Sequence, residues 1–243
     1  MDLTNTAAIV TGAASGLGAA TAAALTAAGA TVYGFDLADF DGIRVDVTDP
    51  DAVREAVAVA AAGPEPLRVV VNCAGIAPSA RILGRAGVHD LAMYAKVVQV
   101  NLIGTFNVMA LAAERIAATA AADEHGQRGV IVNTASVAAY EGQIGQAAYA
   151  SSKGGVAGLT LPAARDLAQH GIRVMTIAPG IMLTPMLETV SEEFRTGLAA
   201  GVPFPARLGT PAEYAGLALS IIANDYLNGE VIRLDGALRM APR

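Results

Sequence analysis

Residues 7–18 read AAIVTGAASGLG, in which a short apolar run leads directly into a turn with three glycines. Gly12, Gly16 and Gly18 allow a tight turn, a close approach of a ligand to the backbone and close packing of the next element on the strand. The segment that follows Gly18 is rich in alanine, a strong helix former. The stretch therefore predicts a strand, a glycine turn and a helix.

The same turn predicts a site for the pyrophosphate of a dinucleotide, because the first amides of a helix attract an anion. Its glycine spacing differs from G-x-G-x-x-G, and a turn of small residues in an alanine-rich chain is the alternative interpretation. Asp36 supports the dinucleotide: it ends the second apolar run, 18 residues after Gly18, where a carboxylate accepts hydrogen bonds from a ribose. The carboxylate would repel a 2′-phosphate, and neither Ser15 nor Leu37 supplies a cation. NAD is therefore predicted rather than NADP, with a solvated aspartate as the alternative.

Apolar runs alternate with helical patterns along the whole chain, which is typical of a parallel sheet covered on both faces. The fold class predicted is α/β, with one Rossmann-type, doubly wound parallel sheet of about seven strands in a single domain, residues 1–243. The predicted strands lie near 7–11, 31–36, 44–47, 67–75, 129–136, 172–180 and 230–236. The predicted helices lie near 16–28, 50–62, 88–117, 149–169, 191–200 and 211–223. The segment between Asp36 and Arg44 is too short for a crossover helix, which takes about a dozen residues, so a loop is expected there.

Composition excludes several classes of function. A net charge of −6 argues against nucleic-acid binding, which needs a basic face. The single cysteine and three scattered histidines have no ligand spacing, so no metal site is expected. Despite a mean hydropathy of +0.46, charges or turn residues interrupt each apolar run, so no membrane span is expected. No export signal is recognisable, and a cytoplasmic protein is expected.

Polar or small residues follow other predicted strands at the edge where open parallel sheets bind ligands. Asp46 and Val47 end the third strand. Cys73, Ala74 and Gly75 end the fourth, and the small Ala74 and Gly75 leave room for a ring to pass. These five residues are predicted to line the cofactor site.

Tyr149 and Lys153 are four residues apart, so on a helix their side chains share one face. The chain has one other lysine, Lys96, and otherwise uses arginine. We expect the ammonium, together with an oxidised nicotinamide close by, to lower the pKa of the phenol and make Tyr149 an acid and base. Ser136 follows a predicted strand and could hold a substrate oxygen. The alternatives are a core tyrosine, a solvated lysine and a helix-capping serine.

Together with Asn101 and Pro179-Gly180, these motifs resemble the short-chain dehydrogenase/reductase family over essentially the whole chain. The resemblance implies that Ser136, Tyr149 and Lys153 are catalytic, and that Asn101 holds a water that relays protons. It also implies NAD contacts, with Cys73 as a lining residue rather than a nucleophile. The implied contacts are Ser15, Leu17, Asp36, Asp46, Val47, Cys73, Tyr149, Lys153 and Thr184.

Longer segments, such as VPFPARLG at 202–209 and LNGEVIRLDGALRM at 227–240, resemble one subgroup, the type II 3-hydroxyacyl-CoA dehydrogenases. This implies oxidation of an acyl-CoA substrate with NAD and a homotetramer that buries helices 88–117 and 149–169. The apolar segments 181–187 and 202–205 would suit an acyl or steroid body, with a flexible lid there, and plain core contacts are the alternative. An NAD-dependent hydroxysteroid or secondary-alcohol dehydrogenase, and a dinucleotide-binding scaffold or sensor, remain the alternatives.

Overall fold

The computed structural model describes residues 1–85, 87–188 and 192–242, without the side chains of Met186, Glu188 and Phe194. The strands are β1 Ala7–Thr11, β2 Thr31–Asp36, β3 Ile43–Arg44, β4 Leu67–Asn72, β5 Leu83–Gly84, β6 Gly87–Val88, β7 Gly129–Thr134, β8 Ile172–Pro179 and β9 Val231–Leu234. The helices are α1 Gly16–Ala27, α2 Pro50–Ala61, α3 Leu91–Val98, α4 Gly104–Ala117, α5 Ala138–Glu141, α6 Ala147–Leu167, α7 Pro185–Glu188, α8 Glu192–Ala200 and α9 Pro211–Ala223.

Seven strands form one parallel sheet in the order β3-β2-β1-β4-β7-β8-β9. The chain starts at β1 in the middle, adds β2 and β3 on one side and then crosses to β4 on the other. This reversal leaves a crevice at the carboxyl ends of β1 and β4, which is where open α/β sheets bind ligands. The predicted fold class and strand number are confirmed.

The side chains of each strand alternate between two apolar cores. Ile9 and Val70 pack on one face with α2, α4 and α6. Val10 and Val71 pack on the other face with α1 and α9. Because both faces are covered, the central strands β1, β4, β7 and β8 are apolar and buried almost throughout.

Several boundaries differ from the prediction. β3 ends at Arg44 rather than at residue 47, because Asp46 accepts hydrogen bonds from the amide and hydroxyl of Thr48 and turns the chain. The long helix begins at Leu91, where Asp90 caps it, instead of at 88. The antiparallel pair β5–β6 and the short helices α5 and α7 were not predicted.

Other local predictions are confirmed. Residues 37–42 contain no helix. Two glycines that follow helices, Gly29 after α1 and Gly171 before β8, have φ values of 98° and 68°, a conformation that glycine adopts readily at a helix end. The helix predicted near 191–200 begins with a residue outside the described ranges and is seen as Glu192–Ala200.

The helical stretch Leu91–Ala117 is long and apolar enough to cross a membrane, contrary to the expectation that no segment would be. In its most apolar window 44% of the residues are buried inside the fold. Val97, Val108 and Ile116 are fully buried, and Val108 and Ile116 belong to the core under the sheet. The hydropathy of this stretch therefore matches a core helix.

Candidate active site

A cleft of about 790 Å³ opens at the carboxyl edge of the sheet. Every predicted site residue except Asn101 lines it. These residues are Gly12, Ser15, Gly16, Leu17, Gly18, Asp36, Asp46, Val47, Cys73, Ala74, Gly75, Ser136, Tyr149, Lys153, Pro179, Gly180 and Thr184. Residues from six strand ends thus meet in one cavity.

The glycine turn is as tight as its sequence predicts. Gly12 has a φ of 68°, and a Cβ there would lie 3.0 Å from the amide nitrogen of Ala74. A Cβ on Gly18 would collide with the carbonyl oxygen of Gly12. Ser15 precedes α1 without a capping bond from its side chain, so the first amides of this helix keep their capacity to bind an anion. The turn fits a pyrophosphate.

Asp36 lies at the end of β2, above the glycine turn. Its carboxylate accepts hydrogen bonds from the amides of Ala14, at 3.0 Å, and Ala38, at 2.9 Å. An ionised carboxylate has about four acceptor positions, so positions remain for ribose hydroxyls. Leu37 beside it is 59% exposed and carries no charge. Asp36 and Leu37 together fit an adenosine ribose that carries no 2′-phosphate.

The segment that follows β4 is fixed by Thr11, a residue that the sequence did not single out. Its hydroxyl accepts hydrogen bonds from the amides of Cys73, at 3.1 Å, and Ala74, at 3.0 Å. Burial raises the pKa of the Cys73 thiol. A protonated thiol is a poor nucleophile, which agrees with the predicted lining role. No motif marks Thr11, because its partners are more than sixty residues away.

Tyr149 and Lys153 lie one turn apart on α6, with the lysine nitrogen 5.9 Å from the centre of the tyrosine ring. Lys153 donates a hydrogen bond of 2.7 Å to the backbone oxygen of Thr134 and is 4% exposed. Burial lowers its pKa to about 8. The side chain is therefore held inside the protein by a strand end and is not solvated.

Burial sets the direction of the Tyr149 pKa in the chain without cofactor. Burial raises it, and the nearby Ser136 hydroxyl opposes that rise. The Lys153 ammonium lies 5.9 Å from the centre of the ring and donates a hydrogen bond to the Thr134 carbonyl. The lowering of this pKa expected from the ammonium together with an oxidised nicotinamide stays a prediction.

Ser136 follows β7 at the sheet edge, as predicted, and is buried. Its oxygen accepts a hydrogen bond of 3.1 Å from the amide of Ala138. The hydroxyl hydrogen stays available for a substrate oxygen.

Asn101 lies outside the cleft, in a π-helical turn that joins α3 to α4 over residues 99–103. Its amide group bonds to the backbone nitrogen and oxygen of Ile76, at 2.8 and 2.9 Å, and to the hydroxyl of Ser152, at 3.0 Å. Ser152 in turn donates to the backbone oxygen of Tyr149. The Asn101 side chain therefore ties the segment after β4 to the tyrosine helix.

The apolar part of the cleft is formed by one of the two predicted segments. Ile181, Met182 and Leu187 line it. The segment 202–205 does not: Val202 is buried, and Phe204 is 83% exposed with its amide bonded to Gly236. That bond holds the segment on the carboxyl-terminal part of the chain. The flexible lid predicted for these two segments stays a prediction.

The cleft also has residues that the sequence analysis did not identify. Gln146 and Met240 contribute to its wall. Tyr214 is fully buried behind it, with its hydroxyl 2.7 Å from that of Thr134. Long-range packing brings these residues to the site, and no local pattern marks them. Among the described residues, no cluster of His, Cys, Asp and Glu has the composition of a metal site.

Comparisons with known proteins agree with this geometry. A family model described as short chain dehydrogenase matches residues 6–194. The chain is 52% identical to a 3-hydroxyacyl-CoA dehydrogenase type-2 of Bos taurus and 51% identical to that of Homo sapiens, covering 97% of this chain and 95% of each relative. A crystal structure of 3-hydroxyacyl-CoA dehydrogenase type-2 from Mycobacterium avium superposes with a TM-score of 0.93 at 46% identity, over 98% of both chains.

Proposed function

Since this chain belongs to the short-chain dehydrogenase family, and is therefore an oxidoreductase, we propose that it interconverts (S)-3-hydroxyacyl-CoA and 3-ketoacyl-CoA with NAD. The observation that carries this proposal is that about half of the residues are identical to those of the type-2 relatives along nearly the whole chain. The cleft supports it, because Ser136, Tyr149 and Lys153 lie together in a cavity with an apolar wall. Such a reaction belongs to fatty acid metabolism.

NAD supplies the hydride acceptor when it is bound, and the described residues fit it. The turn at Gly12 and Gly18 and the first amides of α1 would hold the pyrophosphate, and Asp36 the adenosine ribose. Leu17, Val47 and Thr184 line the same cleft and would supply further contacts to the cofactor. We propose NAD over NADP because a 2′-phosphate would lie against the Asp36 carboxylate without a cation beside it.

The chain's own residues move the proton. Ser136 donates its hydroxyl hydrogen to the substrate oxygen and orients the carbinol. The Tyr149 phenolate takes the hydroxyl proton as the carbinol carbon loses hydride, and a carbonyl is formed. A positive charge in the cleft favours that phenolate, which burial disfavours in the chain by itself. Lys153, held by Thr134, carries the proton onward.

The test follows NADH oxidation by absorbance with acetoacetyl-CoA as substrate. We expect rapid turnover, and Tyr149→Phe should lower kcat by about 100-fold or more, because a positioned acid or base contributes about that factor. Tyr226→Phe removes the hydroxyl of a tyrosine that is 99% exposed and should leave kcat unchanged. An unchanged rate in Tyr149→Phe would refute its role.

An NAD-dependent hydroxysteroid or secondary-alcohol dehydrogenase is the second candidate, favoured by the apolar wall of Ile181, Met182 and Leu187. Relative kcat/KM values on CoA thioesters and on free alcohols separate the two candidates. Both enantiomers of a 3-hydroxyacyl-CoA should be compared, since the proposal requires preference for S. Higher kcat/KM on unactivated alcohols would overturn the acyl-CoA assignment.

We further propose a cytoplasmic homotetramer. Three large apolar residues, Ile103 in the π-helical turn, Phe106 on α4 and Leu161 on α6, are 40%, 49% and 44% exposed. Burial of such residues between subunits supports an assembly through these helices.

A further inference from the structure

The carboxyl-terminal strap, residues 238–242, reaches the cleft and adds Met240 to its wall. The described bonds show at which end of the cleft it lies. The amide of Met240 donates to Glu141 at 3.0 Å, and the amide of Ile144 donates to the oxygen of Pro242 at 3.0 Å. Gln143 donates from its side chain to the oxygen of Ala241 at 2.9 Å. All three partners belong to the segment between Ser136 and Tyr149. The strap therefore lies at the end of the cleft that these two side chains line, and not at the Asp36 end.

Glu141 is the centre of the bonds that hold the strap. Arg233 of β9 forms a two-point ion pair with it, at 2.9 and 3.1 Å. Arg239 lies 3.3 Å from the same carboxylate. The side chains of Glu141 and Arg233 are 21% and 24% exposed, so solvent screens their pair less than it screens a surface pair.

A second set of bonds fixes the direction of the strap. Arg233 also donates to Asp235, at 2.6 Å, and to the backbone oxygen of Leu238, at 3.0 Å. Leu238 is buried and anchors the start of the strap. With Leu238 and the Met240 amide both fixed, the Met240 side chain has a defined place at the cleft.

We propose that Met240 is a specificity-determining residue that limits the acyl chain at the substrate end of the cleft, and that Glu141 is the positioning residue that keeps it there. This inference rests on the proposed acyl-CoA function. The methionine side chain is apolar, unbranched and adaptable, which suits contact with methylene groups. Ile181, Met182 and Leu187 supply further apolar wall in the same cavity.

The first experiment compares kcat/KM for acetoacetyl-CoA and for a long-chain 3-ketoacyl-CoA with NADH. Met240→Ala should raise the ratio of long-chain to short-chain kcat/KM by about tenfold or more, since one methylene in a pocket changes selectivity by about that factor. Met240→Leu keeps the volume and should leave the ratio within about twofold of wild type. Met93→Ala on α3 shortens a methionine outside the cleft and should leave it unchanged.

The second experiment tests the positioning role. Glu141→Ala should change the ratio in the same direction as Met240→Ala, with the KM for NADH unchanged. The double variant should show no further change, because both substitutions remove the same wall. Glu141→Gln keeps an oxygen for the Met240 amide and should restore most of the discrimination.

Equal losses of kcat/KM on both substrates, or an unchanged ratio in active Met240→Ala, would overturn the inference. A wild-type enzyme that turns over secondary alcohols but no acyl-CoA would refute the proposed function, and the same variants would then be compared on short-chain and long-chain alcohols. On these alcohols, an unchanged ratio of long-chain to short-chain kcat/KM in Met240→Ala would by itself overturn the inference that Met240 limits the substrate chain. An enzyme inactive on both classes would overturn both proposals.

Discussion

Lys153 is a charged residue at a site with almost no solvent. Its folded-state pKa of about 8 lies below the ordinary value of 10.5, so between these pH values the unfolded chain binds more protons than the folded one. The cost of burying the ammonium is therefore present in full below about pH 8 and is relieved as the pH rises through this window. Below about pH 8 the buried ammonium therefore lowers the free energy of unfolding.

Lys153→Met should remove this pH dependence. We expect the free energy of unfolding of wild type to rise relative to the variant by up to about 3 kcal/mol between about pH 8 and pH 10.5. Thermal unfolding at a series of pH values measures it. Lys96→Met changes an exposed lysine, and its free energy of unfolding should show the same dependence on pH as that of wild type. Parallel curves for wild type and Lys153→Met would contradict the burial argument.

Asp36 carries the proposed choice of cofactor. Asp36→Ala should narrow the preference for NAD over NADP by about tenfold, because it removes both the ribose acceptor and the repulsion of a 2′-phosphate. Titrations of NADH and NADPH measure the two Kd values. Asp39→Ala removes a nearby carboxylate that does not line the cleft and should preserve the preference. Equal Kd values in wild type would refute the assignment.

At the scale of elements, the β1 turn and α1 depend on the absence of a side chain at Gly18. Gly18→Ala should lower stability by about 2–4 kcal/mol and weaken NAD binding, because the new Cβ collides with the Gly12 carbonyl oxygen. Gly216→Ala is a matched change on α9, where a Cβ meets no atom within 4 Å. It should raise stability by about 0.5–1 kcal/mol.

Measured Tm values and NAD affinities of the two glycine variants test this. Similar behaviour would show that the turn tolerates a side chain and that the close approach of α1 to β1 is unimportant. The position of α4 depends on the absence of a side chain in the same way, because a Cβ on Gly104 would lie 2.6 Å from the Val47 side chain. The close approach there is between α4 and the segment that follows β3.

At the scale of the whole molecule, the exposed apolar residues of α4 and α6 predict assembly. Wild type should be a tetramer by light scattering, and Phe106→Asp should shift it to smaller species, because a charge would be buried between subunits. Val59→Asp on α2 changes a residue that is 56% exposed away from these helices and should leave the assembly intact. A monomeric wild type would contradict the proposal.

The sequence by itself determined the order of strands and helices, the parallel sheet and most residues of the cleft. These depend on local periodicity, on glycines and on the rule that parallel strands end at one edge, all of which are readable along the chain. The subgroup was visible from longer matching segments. The helix-free loop after Asp36 followed from chain length alone.

Only the tertiary structure decided the electrostatics and the far wall of the cleft. The burial that raises the Tyr149 pKa and lowers that of Lys153, the bonds of Thr11 and Thr134, and the place of Met240 arise between residues that are distant in sequence. Desolvation depends on every atom packed around a group, and no local pattern encodes that sum.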